Sequence, residues 1–163
     1  MKKIKFITLV IALAACGGDA VQKDLLNYVN TEIPKIAALE DEAIAAYDGV
    51  AGENYTGDSI MYFTIKQTVI PKYEEFSAKL SAIQPATTEV KTMNDEYVKA
   101  ASDQLEGFKL ICLAIEKQDA EIIKQANSDI DKARNLLDLW KKDLDAQCEK
   151  HGVALEKSSE EKK

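Results

Sequence analysis

The stretch DAEIIKQANSDIDKARNLLDLWKKDLDAQCEKH, residues 119–151, decides the fold class. Within it Ile123, Ala126, Ile130, Ala133, Leu137, Trp140 and Leu144 recur at alternating three- and four-residue steps. At about 3.6 residues per turn, that spacing lines these side chains along one face of a helix, while most of what lies between them is charged or polar. An apolar stripe of this kind is stable only when other helices cover it. Asp119 stands where a helix wants a side-chain acceptor for its first free N–H groups. At the other end His151 suits the negative pole of the helix, and Gly152 can turn the chain left-handed to close it.

Three more stripes precede this one. A third helix begins near Thr87 or Thr88 and carries Val90, Met93, Tyr97, Ala101, Leu105, Phe108, Ile111 and Ile115. No Gly or Pro separates it from the fourth. A turn near Gln118 is read from the change of phase between Ile115 and Ile123. The alternative is one continuous helix over 87–151, ~97 Å long, which would need a partner chain. The second helix starts at Asp58 or Ser59, carries Tyr62, Ile65, Val69, Phe76, Leu80 and Ile83, and ends at Gln84-Pro85-Ala86. The first covers 20–48 with Leu26, Val29, Ile33, Ile36, Ala43 and Tyr47, and the glycines between Gly49 and Gly57 break it. The expected fold is all-α: an antiparallel up-down-up-down four-helix bundle over 20–153, followed by a disordered charged tail over 154–163.

Two prolines fall inside helical pattern, in Glu32-Ile33-Pro34-Lys35 and Val69-Ile70-Pro71-Lys72. A proline removes one N–H and pushes on the carbonyl four residues earlier, here those of Asn30 and Gln67. Kinks are expected at Pro34 and Pro71, at similar height if the first two helices are antiparallel. Bending around a bulky core is the preferred reading. A small-ligand pocket between the kinked helices, with Asn30 and Gln67 as candidate binding residues, is the alternative.

The chain opens Met1-Lys2-Lys3-Ile4-Lys5, then runs apolar from Phe6 to Ala12 and continues Leu13-Ala14-Ala15-Cys16. A basic start, an apolar core too short to span a bilayer and small residues before a cut are the parts of a secretory signal. Leu13 to Cys16, placed directly after that run, resembles the lipobox of bacterial lipoproteins. The resemblance covers residues 1–16. It implies a signal peptide over 1–15, cleavage between Ala15 and Cys16, and acyl chains on Cys16, with 16–19 as a short tether. More than one chain gives stable anchoring. The family's sorting rule associates Asp beside the lipidated Cys with inner-membrane retention. Gly17 lacks that signal, so an outer membrane is expected where the host has two.

Without the leader's three lysines the chain keeps 18 basic against 28 acidic residues, a balance of −10. That argues against nucleic acid, whose phosphates need a basic face. It also argues against charge-driven binding to anionic lipid heads, so the acyl chains must do the anchoring.

The remaining candidates are weighed against plainer readings. Glu40 lies on the inner side of the first stripe, where a carboxylate can be perturbed and functional; the plainer expectation places it at the stripe's edge with its head in water. Tyr55, on the 49–57 loop, is a candidate contact residue or part of a plain connector. The other tyrosines are expected in the core. Cys112 and Cys148 are read as free, small core thiols, since antiparallel helices would separate them by ~35 Å. Cys148 and His151 share one helical face but lack further ligands, so no metal is expected. The lone histidine has no nucleophile in a recognisable setting, and no phosphate-binding glycine loop is present. The expectation is a membrane-anchored envelope lipoprotein acting as a non-enzymatic binding module, with no cofactor, a partner in another envelope protein, and no nucleic acid.

Overall fold

The computed structural model describes residues 19–155. The expected signal peptide over 1–15, Cys16 and residues 17–18, and the chain from 156 onward lie outside them. Helix α1 covers 20–48, α2 covers 58–82, α3 is Thr88–Lys117 and α4 is Ala120–Lys150, with a single 3-10 turn at Gly52–Asn54 in the α1–α2 link. Among the described residues there is no strand, and no helix is long and apolar enough to cross a membrane.

The chain from 87 to 151 is two helices rather than one. Gln118 takes a left-handed conformation, φ 54°. The Asp119 N–H reaches back to Ala114 O at 3.0 Å and the Gln118 N–H to Ile115 O at 3.3 Å. These two bonds satisfy the last carbonyls of α3. Asp119 then starts α4, its carboxylate accepting from the Glu121 and Ile122 N–H groups. The far end of α4 closes in the same manner: Gly152 has φ 67°, and the Val153 N–H bonds Cys148 O at 2.8 Å. Val153 is buried and Leu155 packs partly against the core, so packing continues two residues past the expected boundary at 153.

Both interior prolines are preceded by a π turn, Tyr28–Glu32 before Pro34 and Ile65–Val69 before Pro71. The Ile33 N–H bonds Tyr28 O and the Ile70 N–H bonds Ile65 O, five residues back instead of four. The widened turn carries the hydrogen-bond ladder past the point where the ring lacks its N–H. The same motif, Thr-x-Ile-Pro-Lys, stands at 31–35 and 68–72. The two prolines do not share a height. Lys72 pairs with Glu42, which sets Pro71 beside residues 41–43 of α1, eight residues or ~12 Å from Pro34.

A chain of ring contacts ties all four helices together. It runs from Tyr47 on α1 to Phe108 on α3 (4.9 Å between centroids), to Tyr73 and Phe76 on α2 (5.3 Å each), then to Tyr97 on α3 (5.7 Å) and Trp140 on α4 (4.2 Å). Tyr73, Phe76, Tyr97 and Phe108 are fully enclosed. Burying a large apolar side chain contributes about 1.5–3 kcal/mol, so this chain of rings dominates the core.

Side chains also tie the helix ends together. The buried Asp24 carboxylate on α1 accepts from both the N–H and the hydroxyl of Thr87 at the start of α3, each at 2.7 Å. His151 Nδ1 lies 2.6 Å from Asp19 Oδ2, and His151 O accepts from Gln22 Nε2 at 2.8 Å.

Candidate functional site

The expected site residues do not converge. Asn30 sits half-buried in the first π turn, with its side-chain oxygen enclosed and unpartnered. Gln67 is exposed in the second. Glu40 is in the core and Tyr55 is on the surface of the α1–α2 link. A pocket of about 220 Å³ opens at the α2–α3 link between Ser81, Gln84, Lys91 and Asn94, and neither proline segment lines it. Cys112 and Cys148 are free and buried, and burial pushes both thiols up to about 11. Among the described residues no group of three or more His, Cys, Asp or Glu side chains is placed to hold a metal ion.

Two clusters remain. The first surrounds Tyr55, which is 48% exposed. Its hydroxyl donates to Asp58 Oδ1 at 2.7 Å, which fixes the ring instead of leaving it to swing with the loop. Helix α2 starts at Asp58, as expected, with Gly57 (φ 150°) at its N-cap position and no side-chain cap. The first two turns of α2, Asp58–Thr64, contain no fully buried residue, while Met61 and Tyr62 pack partly against the core. Ile60 and Phe63 are 55% and 52% exposed and lie three apart on one face. Phe63 meets the Tyr62 ring edge-on at 5.4 Å. The Tyr62 hydroxyl bonds Glu116 on α3, and Lys66 lies over the same ring and 3.1 Å from Glu116. Exposed hydrogen bonds thus hold the Tyr55 and Tyr62 hydroxyls on the segment that carries Ile60 and Phe63. Its acidic neighbours in the chain are Asp48, Glu53 and Asp58. The sequence signal for it is the unbroken run Ile60-Met61-Tyr62-Phe63. Four consecutive apolar residues occupy all sides of a helix, so a single covered face cannot bury them all.

The second cluster surrounds Glu40, whose side chain is only 2% exposed. The head is not in water at the stripe's edge, as expected, but inside. Ile36, Glu40, Ala43 and Tyr47 follow each other at steps of four, three and four, all buried, so Glu40 takes the central rung of the apolar face. Its Oε2 accepts from the Tyr97 hydroxyl at 2.5 Å, and the Tyr73 hydroxyl faces it without hydrogen-bond geometry. Loss of hydration raises the carboxyl to about 7, against the opposing pull of the Tyr97 hydroxyl. Nearby, the buried Tyr28 hydroxyl donates to Asn94 Oδ1 at 3.2 Å. Trp140 stacks on Tyr97 with its own N–H unpartnered. Among the described residues this cluster joins one carboxyl and several phenols into a buried polar network.

No family model matches the chain, and neither the curated proteins nor the solved structures contain a match to it.

Proposed function

We propose that this chain is an exported lipoprotein, acylated on Cys16, that docks another envelope protein through the aromatic patch around Tyr55, Ile60 and Phe63. The docking is non-enzymatic. The observation that carries it is the exposure of Ile60 and Phe63 on turns with no fully buried residue. About half of each side chain is in water, so a partner's surface would recover roughly half of the ~1.5–3 kcal/mol that full burial contributes. The bond from Tyr55 to Asp58 supports the reading, because a ring held beforehand loses less entropy on binding.

The four helices are read as an antiparallel up-down-up-down bundle. The bonds from Asp19 and Gln22 to His151, from Asp24 to Thr87, and from Tyr62 to Glu116 support that order. They gather the start of α1, the start of α3 and the end of α4 at one pole, and the start of α2 with the end of α3 at the other. In this reading the patch stands at the pole away from Asp19, up to ~45 Å from it for helices of this length. An outer membrane is the proposed location in a host with two.

Two experiments test this. Cys16→Ser should leave the precursor uncleaved and unacylated; normal processing of that variant rejects the anchor. A photocrosslinking residue at Phe63 in intact envelopes should trap a defined protein. The control is Leu139, an equally exposed apolar position on α4. The same product from both positions, or none from either, rejects the docking surface.

A further inference from the structure

The Glu40 carboxyl is buried in the core, and ionisable groups on all four helices act on it. Tyr73 faces it from α2, Tyr97 from α3 and Lys141 from α4, with Asp41 beside it on α1. Tyr97 alone makes a hydrogen bond with good geometry. Lys141 exerts attraction without forming an ion pair, and Asp41 opposes it. A protonated carboxyl fits this setting: it accepts from Tyr97 and carries an O–H of its own, with the otherwise unpartnered Tyr73 hydroxyl close by. An ionised one keeps its charge in an apolar enclosure with no paired cation, which is costly unless water enters.

We infer that Glu40 is a proton-dependent latch: protonated, it locks α1 onto α2 and α3, and on losing its proton it admits water and loosens α1 from them. Its position makes the consequence more than local. Tyr97 links Glu40 to Trp140 on α4, and Tyr73 continues through Phe108 to Tyr47. An opening at Glu40 therefore disturbs the ring chain that joins all four helices. The latch does not rest on the docking patch, and the two stand or fall separately.

The direction follows from linkage. The carboxyl's ordinary value is 4.5 and burial raises it to about 7 in the fold. Between these values the folded chain holds a proton that the unfolded chain has lost. The latch's contribution is fully present below about 4.5, declines as pH rises, and is gone above about 7. Between pH 5.5 and 8.5 the folding equilibrium should fall about thirtyfold from this group alone.

Trp140 is the only tryptophan and stacks on the residue that holds Glu40, so its emission is the natural reporter. In the purified full chain, Trp140 emission should titrate with a midpoint near neutrality. The urea-unfolding equilibrium should fall about thirtyfold from pH 5.5 to 8.5. Glu40→Gln, the uncharged isostere, should lose both dependences and keep the low-pH emission. The Trp140 titration should survive in His151→Gln, which removes the only histidine. A flat wild-type profile, a titration surviving in Glu40→Gln, or one lost in His151→Gln overturns the latch. Should Glu40→Gln not fold, the carbon-13 signal of the Glu40 carboxyl in the wild-type chain decides: titration near neutrality supports the latch, and titration in the ordinary carboxylate range overturns it.

Discussion

Gly107 lies so close to Ile130 that a Cβ placed on it would stand 2.5 Å from Ile130 Cγ1 and 3.3 Å from Ala126 O. This contact explains a glycine in the middle of a thirty-residue helix. In isolation Gly107→Ala would stabilise the helix by up to ~1 kcal/mol. Here the methyl must displace a buried isoleucine and press on a backbone carbonyl, an overpacking that costs ~1–3 kcal/mol. We expect a net loss of about 1 kcal/mol in urea unfolding. Ile130→Val, which removes the more distal methyl, should recover less of it than Ile130→Ala does relative to its own single variant. A gain in stability from Gly107→Ala would show that α3 and α4 pack less closely than this.

Gln118 holds the left-handed position between α3 and α4 without the help of a glycine. That conformation costs a side-chain-bearing residue about 1 kcal/mol or more. Gln118→Gly should therefore stabilise the chain by roughly 0.5–1 kcal/mol. The sign of the change is diagnostic. If residues 87–151 formed one helix, glycine at 118 would sit in its interior and destabilise by ~1 kcal/mol. Asp119→Ala should lose ~1 kcal/mol by removing the acceptor for the Glu121 and Ile122 N–H groups.

What the sequence announced and what it hid divide along physical lines. The helix limits were legible because caps and breakers act locally: Asp119 and Gly152 stand where their chemistry is needed. The inner faces were legible because burial follows the helical period. Glu40 was misread because composition outweighed position; it occupies the rung between Ile36 and Ala43, but an acid is ordinarily kept outside. The π turns left no trace in the stripe, since Val29, Ile33 and Ile36 keep their three- and four-residue steps while the hydrogen-bond ladder shifts beneath them. Asp24 was passed over because its partner, Thr87, is sixty-three residues away. The proposed docking patch was half legible. Tyr55 stood out as an aromatic on a loop, whereas Ile60 and Phe63 look like core residues until they are found half exposed on the outer side of α2's first turns.

The prolines test whether a π turn truly absorbs a ring. In a regular helix interior a proline costs ~3 kcal/mol, so Pro34→Ala or Pro71→Ala would stabilise the chain by about that much. With the turn before each proline already widened, little of that penalty is left to relieve. Replacement by alanine returns one N–H, worth ~0.5–1.5 kcal/mol if it finds an acceptor. It also frees the unfolded chain, at a loss of ~0.4–1 kcal/mol. These nearly cancel, so each variant should lie within ~1 kcal/mol of wild type in urea unfolding. Because the prolines are ~12 Å apart along α1 and do not touch, the double variant should equal the sum of the singles within ~0.5 kcal/mol. A gain near 3 kcal/mol from either single change would mean that the ring still strains its helix despite the π turn. Strong coupling in the double variant would mean that the two turns act as a pair, and would restore the ligand pocket between α1 and α2 that their separate heights now argue against.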